Sequence, residues 1–180
     1  KTKQIGSGKA LSKMTGLNVV YDFRENDLKN GGQGAPLVPI FHKLLQKILQ
    51  IKMPVVFVNI GGISNLTFVD KNDEMISFDS GPGNFLIDKL LQLKSNDRIQ
   101  FDENGEIAFK GRVNRSVLNT YLSDSYFDLF PPKSLDVNDF KLNPIRDLSF
   151  EDSIATLSEL TALTIANSLN FFSNKPNEII

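Results

Sequence analysis

Residues Val55 to Asn84 read VVFVNIGGISNLTFVDKNDEMISFDSGPGN. Three runs rich in β-branched and aromatic residues, Val55–Ile60, Leu66–Asp70 and Met75–Asp79, are joined by short links. That spacing predicts an antiparallel β-meander. The first link is Gly61-Gly62-Ile63-Ser64-Asn65, and the second is the polar turn Lys71-Asn72-Asp73-Glu74. A Gly-Gly-x-Ser-Asn tip offers backbone N–H groups and a hydroxyl in a small concavity, which suits phosphate oxygens; taken alone, an ordinary structural Gly-Gly hairpin is the commoner reading. Asp79-Ser80-Gly81-Pro82-Gly83-Asn84 follows the third strand and leads into a helix that buries Phe85, Leu86, Leu90 and Leu91. A strand, a Gly-rich turn and a helix N-terminus in succession favour anions. The plainer alternative makes Asn84 a simple N-cap. The run matches neither G-x-G-x-x-G nor the Walker A pattern, so a dinucleotide fold or a P-loop fails on spacing.

Upstream, residues 5 to 16 read as a turn, a short helix and a turn. Val19–Phe23 predicts a buried strand that delivers Asp22 and its followers at its C-terminal end, where open α/β sheets gather ligands. Asp22 to His42, DFRENDLKNGGQGAPLVPIFH, holds Asp22, Glu25 and Asp27, one arginine (Arg24), and Gly31, Gly32 and Gly34. Glycines this close let the backbone approach a ligand. A flexible turn beside a solvated charged loop is the alternative. Pro39 opens a helix on which Phe41, Leu44, Leu45, Ile48 and Leu49 recur at helical spacing, which predicts core packing. His42, the only histidine, lies on that helix and is expected to be structural.

Further on, Val113, Val117, Leu118 and Tyr121 mark a helix, and YFDLFPP at Tyr126–Pro132 is a rigid segment for packing or a pocket wall. Asp152 to Phe172 predicts a long helix with Ile154, Leu157, Leu160, Leu163, Ile165 and Leu169 on a broad apolar face. Its Ala, Thr and Ser residues point to tight contact on a second side. The 180 residues carry 20 basic and 21 acidic groups and a net charge of -1, which gives no electrostatic argument for nucleic acid or a membrane surface. No cysteine is present, which excludes disulfides, thiolate metal sites and a Cys nucleophile and is compatible with the cytoplasm. No apolar run approaches the roughly 20 residues of a membrane span. The chain opens mid-pattern at KTKQIGSG and stops at NEII, as a strand begins, so an excerpt of a longer protein is expected.

In this order, DFRENDLKNGGQGAPLVPIFH, NIGGISNLT and DSGPGN resemble the anhydro-N-acetylmuramic acid kinases, relatives of sugar kinases, heat-shock chaperones and actin. The resemblance continues through Tyr126-Phe127, Pro131-Pro132-Lys133-Ser134 and Asp152 to Ala166. It implies an α/β actin-like ATPase (ribonuclease H-like) fold, here partial, with a β-meander followed by helices. Residues 1–52 would belong to the first lobe and the substrate cleft. Residues 53–180 would form the second lobe, with the phosphate-binding hairpin but without the C-terminal adenosine segment. The implied reaction uses ATP, Mg²⁺ and water to cleave the 1,6-anhydro ring of anhydro-N-acetylmuramic acid and phosphorylate the 6-oxygen, in peptidoglycan recycling.

By the pattern D-F-R-x-x-D, the resemblance makes Asp27 the base that activates water, with Asp22 as the alternative or as the group that orients Arg24. Arg24 would hold the lactyl carboxylate, beside the substrate loop Gly32, Gln33 and Gly34. Gly61, Gly62, Ser64 and Asn65 match the phosphate hairpin, and Asp79, Gly81, Gly83 and Asn84 would lie beside the nucleotide. Mg²⁺ would be held through water and phosphate oxygens. The implied partners are the sugar and ATP, in the cytoplasm, with no nucleic acid and no membrane; a homodimer stays open. The competing reading is a non-catalytic sugar-binding or dimerisation module unable to hold ATP. Three departures stand out: no Gly-Thr-Ser-x-Asp-Gly loop, no adenosine segment, and Leu135-Asp136-Val137 where the family has Thr-Gly-Arg after Lys133-Ser134.

Overall fold

The meander forms where the alternation of side chains predicts it. In the computed structural model, which describes residues 5–72 and 74–180, β1 (Val55–Ile60), β2 (Ile63–Val69) and β3 (Met75–Pro82) pair antiparallel. A short β4 (Glu178–Ile179) joins β1 in parallel, giving the order β3-β2-β1-β4. The second turn is built on Asp70, whose Oδ1 accepts from the N–H groups of Asn72 and Glu74, both at 2.8 Å. Asp73 of that turn and Lys1–Gln4 of the opening segment lie outside the described residues.

Alternation along the strands gives the sheet two apolar faces, and a helix covers each. On one face, Val56, Leu66, Phe68 and Phe78 meet Ile165 of α6 (Phe150–Ser168) and Phe171 and Phe172 just beyond it. Phe68 stacks on Phe172 with ring centroids 4.3 Å apart. Helix α6 is capped by Ser149, whose side chain accepts from the Asp152 N–H at 3.1 Å. Beyond it, α4 (Phe85–Ser95) and α5 (Arg115–Leu122) complete the main core around Leu91, Leu118, Ile154 and Leu160. The molecule is a mixed α/β unit with a four-stranded sheet.

The other face takes α3 (Pro39–Leu49), and here the packing departs from expectation. Of the apolar residues expected in the core only Leu45 packs on the sheet, against the cluster of Val55, Phe57 and Val69. Phe41, Leu44, Ile48 and Leu49 are exposed, while Gln46 is buried and donates to the Ile51 carbonyl at 2.8 Å. Residues 42, 45 and 46, at helical spacing, form the docking face, so the row 41, 44 and 48 is turned outward.

The expected strand Val19–Phe23 does not form. A strand needs a neighbour for its backbone groups. Among the described residues no strand pairs with this segment, and Val20 and Phe23 are 77% and 65% exposed. Instead α1 (Gly8–Thr15) and α2 (Glu25–Lys29) flank an irregular stretch, and neither buries a residue.

His42 anchors α3. Its ring stacks on Phe57 at 4.7 Å and 9°, and its Nδ1 lies 2.9 Å from Thr67 Oγ1. Thr67 faces Ser77 across the sheet with hydroxyls 3.2 Å apart, and Ser77 donates to the Leu66 carbonyl at 2.7 Å. Burial pushes the imidazole pKa down from 6.5. A folded state that resists the proton keeps its full stability above 6.5 and loses it as pH falls from 6.5 through the folded value. The lone imidazole should therefore titrate below 6.5 by NMR, and His42→Gln should flatten the loss of thermal stability on that acid side. A midpoint at or above 6.5 would contradict this placement.

Candidate active site

The acidic stretch folds back on its glycines. Arg24 Nη1 donates to the Gly34 carbonyl, and the Gly34 N–H donates to Asp27 Oδ2 at 2.7 Å. The two side chains thus hold both backbone groups of one buried glycine. Gly34 needs its freedom, with φ +75° and Leu28 against the place of a Cβ. Gly32 lies so close to the Asp27 carboxylate that any side chain there would collide with it. The Gly32 N–H also donates to the Asp27 carbonyl at 2.8 Å. Gln33 bridges the two glycines, half-buried. The fold therefore gathers Arg24, Asp27, Gly32, Gln33 and Gly34. Asp22 stands outside this clamp, exposed, at φ +65°.

The hairpin and the DSGPGN turn form a second group. Strand β2 begins at Ile63, so only Gly61 and Gly62 lie between the strands. Ser64 and Asn65 are strand residues at a bulge, not the hairpin tip. Ser64 is fully buried, with its hydroxyl 2.6 Å from Ser80 Oγ and 3.1 Å from the Gly81 carbonyl, so it does not face outward. Asn65 Oδ1 is buried without a hydrogen-bond partner.

The N-terminus of α4 is also used internally. The N–H groups of Gly83 and Phe85 donate to the Gly62 carbonyl at 2.9 and 3.1 Å, and that of Asn84 to Gly61 at 2.8 Å. The anion-friendly helix start read from the sequence is capped by the hairpin's own carbonyls. A Cβ on Gly83 would fall on the Gly61 carbonyl oxygen. On Gly81 it would sit 2.8 Å from Thr164 Oγ1. Gly61 and Gly62 differ: a Cβ on either meets nothing closer than 3.5 Å. Packing within the chain does not require them to be glycine, and Gly62 is exposed. Asn84 does not cap α4 with its side chain; Nδ2 reaches toward the Ile60 carbonyl at 3.4 Å.

Asp79 lies apart from the hairpin surface. It is 8% exposed, and its Oδ2 accepts from the Leu135 N–H at 2.9 Å. Burial pushes its carboxyl pKa up, partly offset by that hydrogen bond. Its carbonyl accepts from the Tyr126 hydroxyl at 2.6 Å. Sequence reading missed two supports. Thr161 of α6 places Oγ1 3.0 and 3.1 Å from the Pro82 and Gly83 carbonyls, so α6 holds the turn from behind. The small residues of α6 were its only trace in the sequence. Lys133 is buried, donates to the Tyr126 carbonyl at 3.1 Å, and lies 4.7 Å from the ring centroids of both Tyr126 and Phe171. Desolvation pulls its pKa down, with Asp128 opposing.

The two groups present a carboxylate and a guanidinium oriented by one glycine, and an exposed glycine turn tied to the start of α4. Among the described residues no cluster of three His, Cys, Asp or Glu side chains could cage a metal ion. No helix among them is long and apolar enough to cross a membrane.

Comparison with known proteins agrees with the motifs. The family model described as anhydro-N-acetylmuramic acid kinase matches residues 1–180. The chain is 42% identical over 181 residues to the anhydro-N-acetylmuramic acid kinase of Zymomonas mobilis, covering 99% of this chain and 48% of that protein. It is 39% identical over 180 residues to the protein of the same name from Caulobacter vibrioides, covering 100% and 48%. Against that of Pelagibacter ubique it is 42% identical over 187 residues. The chain spans about half the length of the curated relatives it matches.

The hairpin geometry separates two kinds of glycine. Gly83→Ala should destabilise the fold by about 1–3 kcal/mol, as overpacking does. Gly62→Ala should stay within about 0.5 kcal/mol, as an open surface site does. Chemical denaturation of both variants checks this, and equal losses would refute the distinction.

Proposed function

The chain belongs to the anhydro-N-acetylmuramic acid kinase family, and on that premise we propose that the intact protein opens the 1,6-anhydro bridge of anhydro-N-acetylmuramic acid and phosphorylates its 6-oxygen. In this reading water adds to the anomeric carbon, the bond from that carbon to the bridging oxygen breaks, and the freed oxygen takes the phosphoryl group. ATP with Mg²⁺ supplies that group, and the metal comes with the phosphates, through water and phosphate oxygens.

The observation that carries the reading is the clamp at Gly34. Asp27 keeps one carboxylate oxygen fixed by the Gly34 N–H while the residue stays exposed, which suits a base that takes a proton from water. Among the described residues no hydrogen-bond donor orients the Asp22 carboxylate in this way, which makes it the weaker candidate. Arg24 has further donors for the lactyl carboxylate of the sugar beyond the one on Gly34. Gly61 and Gly62 would receive phosphate oxygens on their open side, with the Asn84 amide beside them. Ser64, Asn65, Asp79, Gly81 and Gly83 would act from behind, holding that surface in place.

The fold of the intact protein is proposed to be actin-like. Residues 1–52 would serve the first lobe and cleft, and 53–180 the second lobe. Helix α3, through His42 and Leu45, would carry the first on the second's sheet. Closure over both substrates would exclude bulk water. Small-angle scattering of the intact cytoplasmic protein should show compaction with nucleotide and sugar together, and an unchanged profile would count against closure.

A second reading, a sugar-binding module that does not hold ATP, is favoured by one observation. The N–H groups of Gly83, Asn84 and Phe85 are already taken. Kinetics separate the two readings. Asp27→Asn in the intact protein should lower turnover by about 10²-fold or more, as for loss of a general base, and leave nucleotide affinity unchanged. Near-normal turnover would remove Asp27 from the role, and absence of nucleotide binding in the unsubstituted protein would favour the second reading.

A further inference from the structure

A cavity of about 360 Å³ opens at the first turn of α4, next to the junction of hairpin and turn. It is lined by Asn84, Ile87, Asp88, Phe101, Asp102 and Gly105, with Ser158 of α6 among them. That volume is in the range of small-molecule sites, roughly 300–1,000 Å³.

Its two carboxylates differ. Asp102 is spent on the fold: Oδ1 accepts from the Ile107 N–H and Oδ2 from the Ala108 N–H, both at 2.9 Å. Asp88 is half-buried, and among the described residues no cation or hydrogen-bond donor takes its carboxylate. Burial pushes its pKa up, as expected for a carboxyl without a compensating partner. Phe101 is 63% exposed and offers a flat apolar face beside it, with Ile87 behind.

This lining selects a chemistry. Two carboxylates repel phosphate and carboxylate groups. A carboxylate with open lone pairs takes hydroxyl or amide N–H donors, and an exposed aromatic face takes the C–H side of a ring. Ser158 and Asn84 add a hydroxyl and an amide that donate or accept.

We propose that this cavity binds an uncharged, hydroxyl-bearing ring, with Asp88 accepting from its hydroxyls and Phe101 lying against its face. Two sources share that chemistry: the pyranose of the sugar substrate and the ribose of the nucleotide. The choice of these two rests on the kinase reading above; the cavity chemistry does not. Asp88 thereby becomes a specificity residue one helical turn past Asn84, for the part of a ligand that carries no charge.

The test uses probes that bypass the sites already assigned. 1,6-Anhydro-N-acetylglucosamine keeps the anhydro ring but lacks the lactyl acid that Arg24 would hold. Adenosine keeps the ribose but lacks the phosphates that Gly61 and Gly62 would hold. Dissociation constants for each are measured by NMR titration of the intact protein, of Asp88→Asn and of Phe101→Ala. The first variant preserves shape and the second trims a mostly exposed ring, and matching melting curves confirm that both fold. Both variants should weaken one probe by about 10-fold, the scale of a hydrogen bond to a charged group, and leave the other within twofold. Weakening of the anhydro sugar assigns the cavity to the pyranose, and weakening of adenosine assigns it to the ribose. The proposal is overturned if neither probe binds, or if neither variant changes either constant by more than twofold. Phosphoryl transfer is assayed separately, so a protein without turnover that still binds a probe through Asp88 would sink the kinase reading and keep the cavity.

Discussion

Three backbone N–H groups, those of Gly83, Asn84 and Phe85, end on the carbonyls of Gly61 and Gly62, and much of the structure follows from that junction. It ties the end of β3 and the start of α4 to the hairpin between β1 and β2. The same contacts satisfy donors that a helix N-terminus otherwise leaves open. Close approach of two backbones is possible only without side chains, which is why Gly83 sits on the Gly61 carbonyl and Gly81 against Thr164. Thr161 then engages the Pro82 and Gly83 carbonyls from α6. The turn is held on both sides, and its conformation depends on two distant elements meeting correctly.

Elements whose signal is local were legible in the sequence. The three strands and α6 announce themselves by alternation and by helical periodicity, because each buries most of one face or side. Val19–Phe23 has the same β-branched and aromatic composition and forms no strand, since composition says nothing about whether a neighbour exists to complete the ladder. Helix α3 shows the same limit in another form. Its apolar residues mark a helix correctly, but His42 and Gln46 take the docking face with Leu45. A ring that can stack on Phe57 and hydrogen-bond Thr67 outcompetes a purely apolar row at a sheet face that itself carries hydroxyls.

The candidate site was legible in its membership more than in its roles. Acids, an arginine and glycines crowded between Asp22 and Gly34 marked the stretch, yet only the fold distinguishes Asp27, clamped to Gly34, from Asp22, which stands outside. Likewise Ser64 belonged to a motif but turns inward to Ser80. Lys133 stood in the sequence only as part of the Pro131–Ser134 resemblance, because an aromatic enclosure assembled from Tyr126, Phe171 and Phe78 has no signature in spacing.

Glycines offer the sharpest way to separate scaffold from surface in this chain. Gly32, Gly81 and Gly83 are accounted for by their own neighbours, since each would drive a side chain into a carboxylate, a threonine or a carbonyl. Gly61 and Gly62 are not: the fold leaves room for a Cβ at both, and neither has positive φ. Glycine raises the entropy lost on folding, so its use where the fold does not need it calls for another cause. The chain's own packing does not supply that cause at this exposed turn, as it does at Gly32, Gly81 and Gly83. The same hydrogen bonds that consume the helix N-terminus also tie down this exposed turn, so one set of contacts fixes both elements.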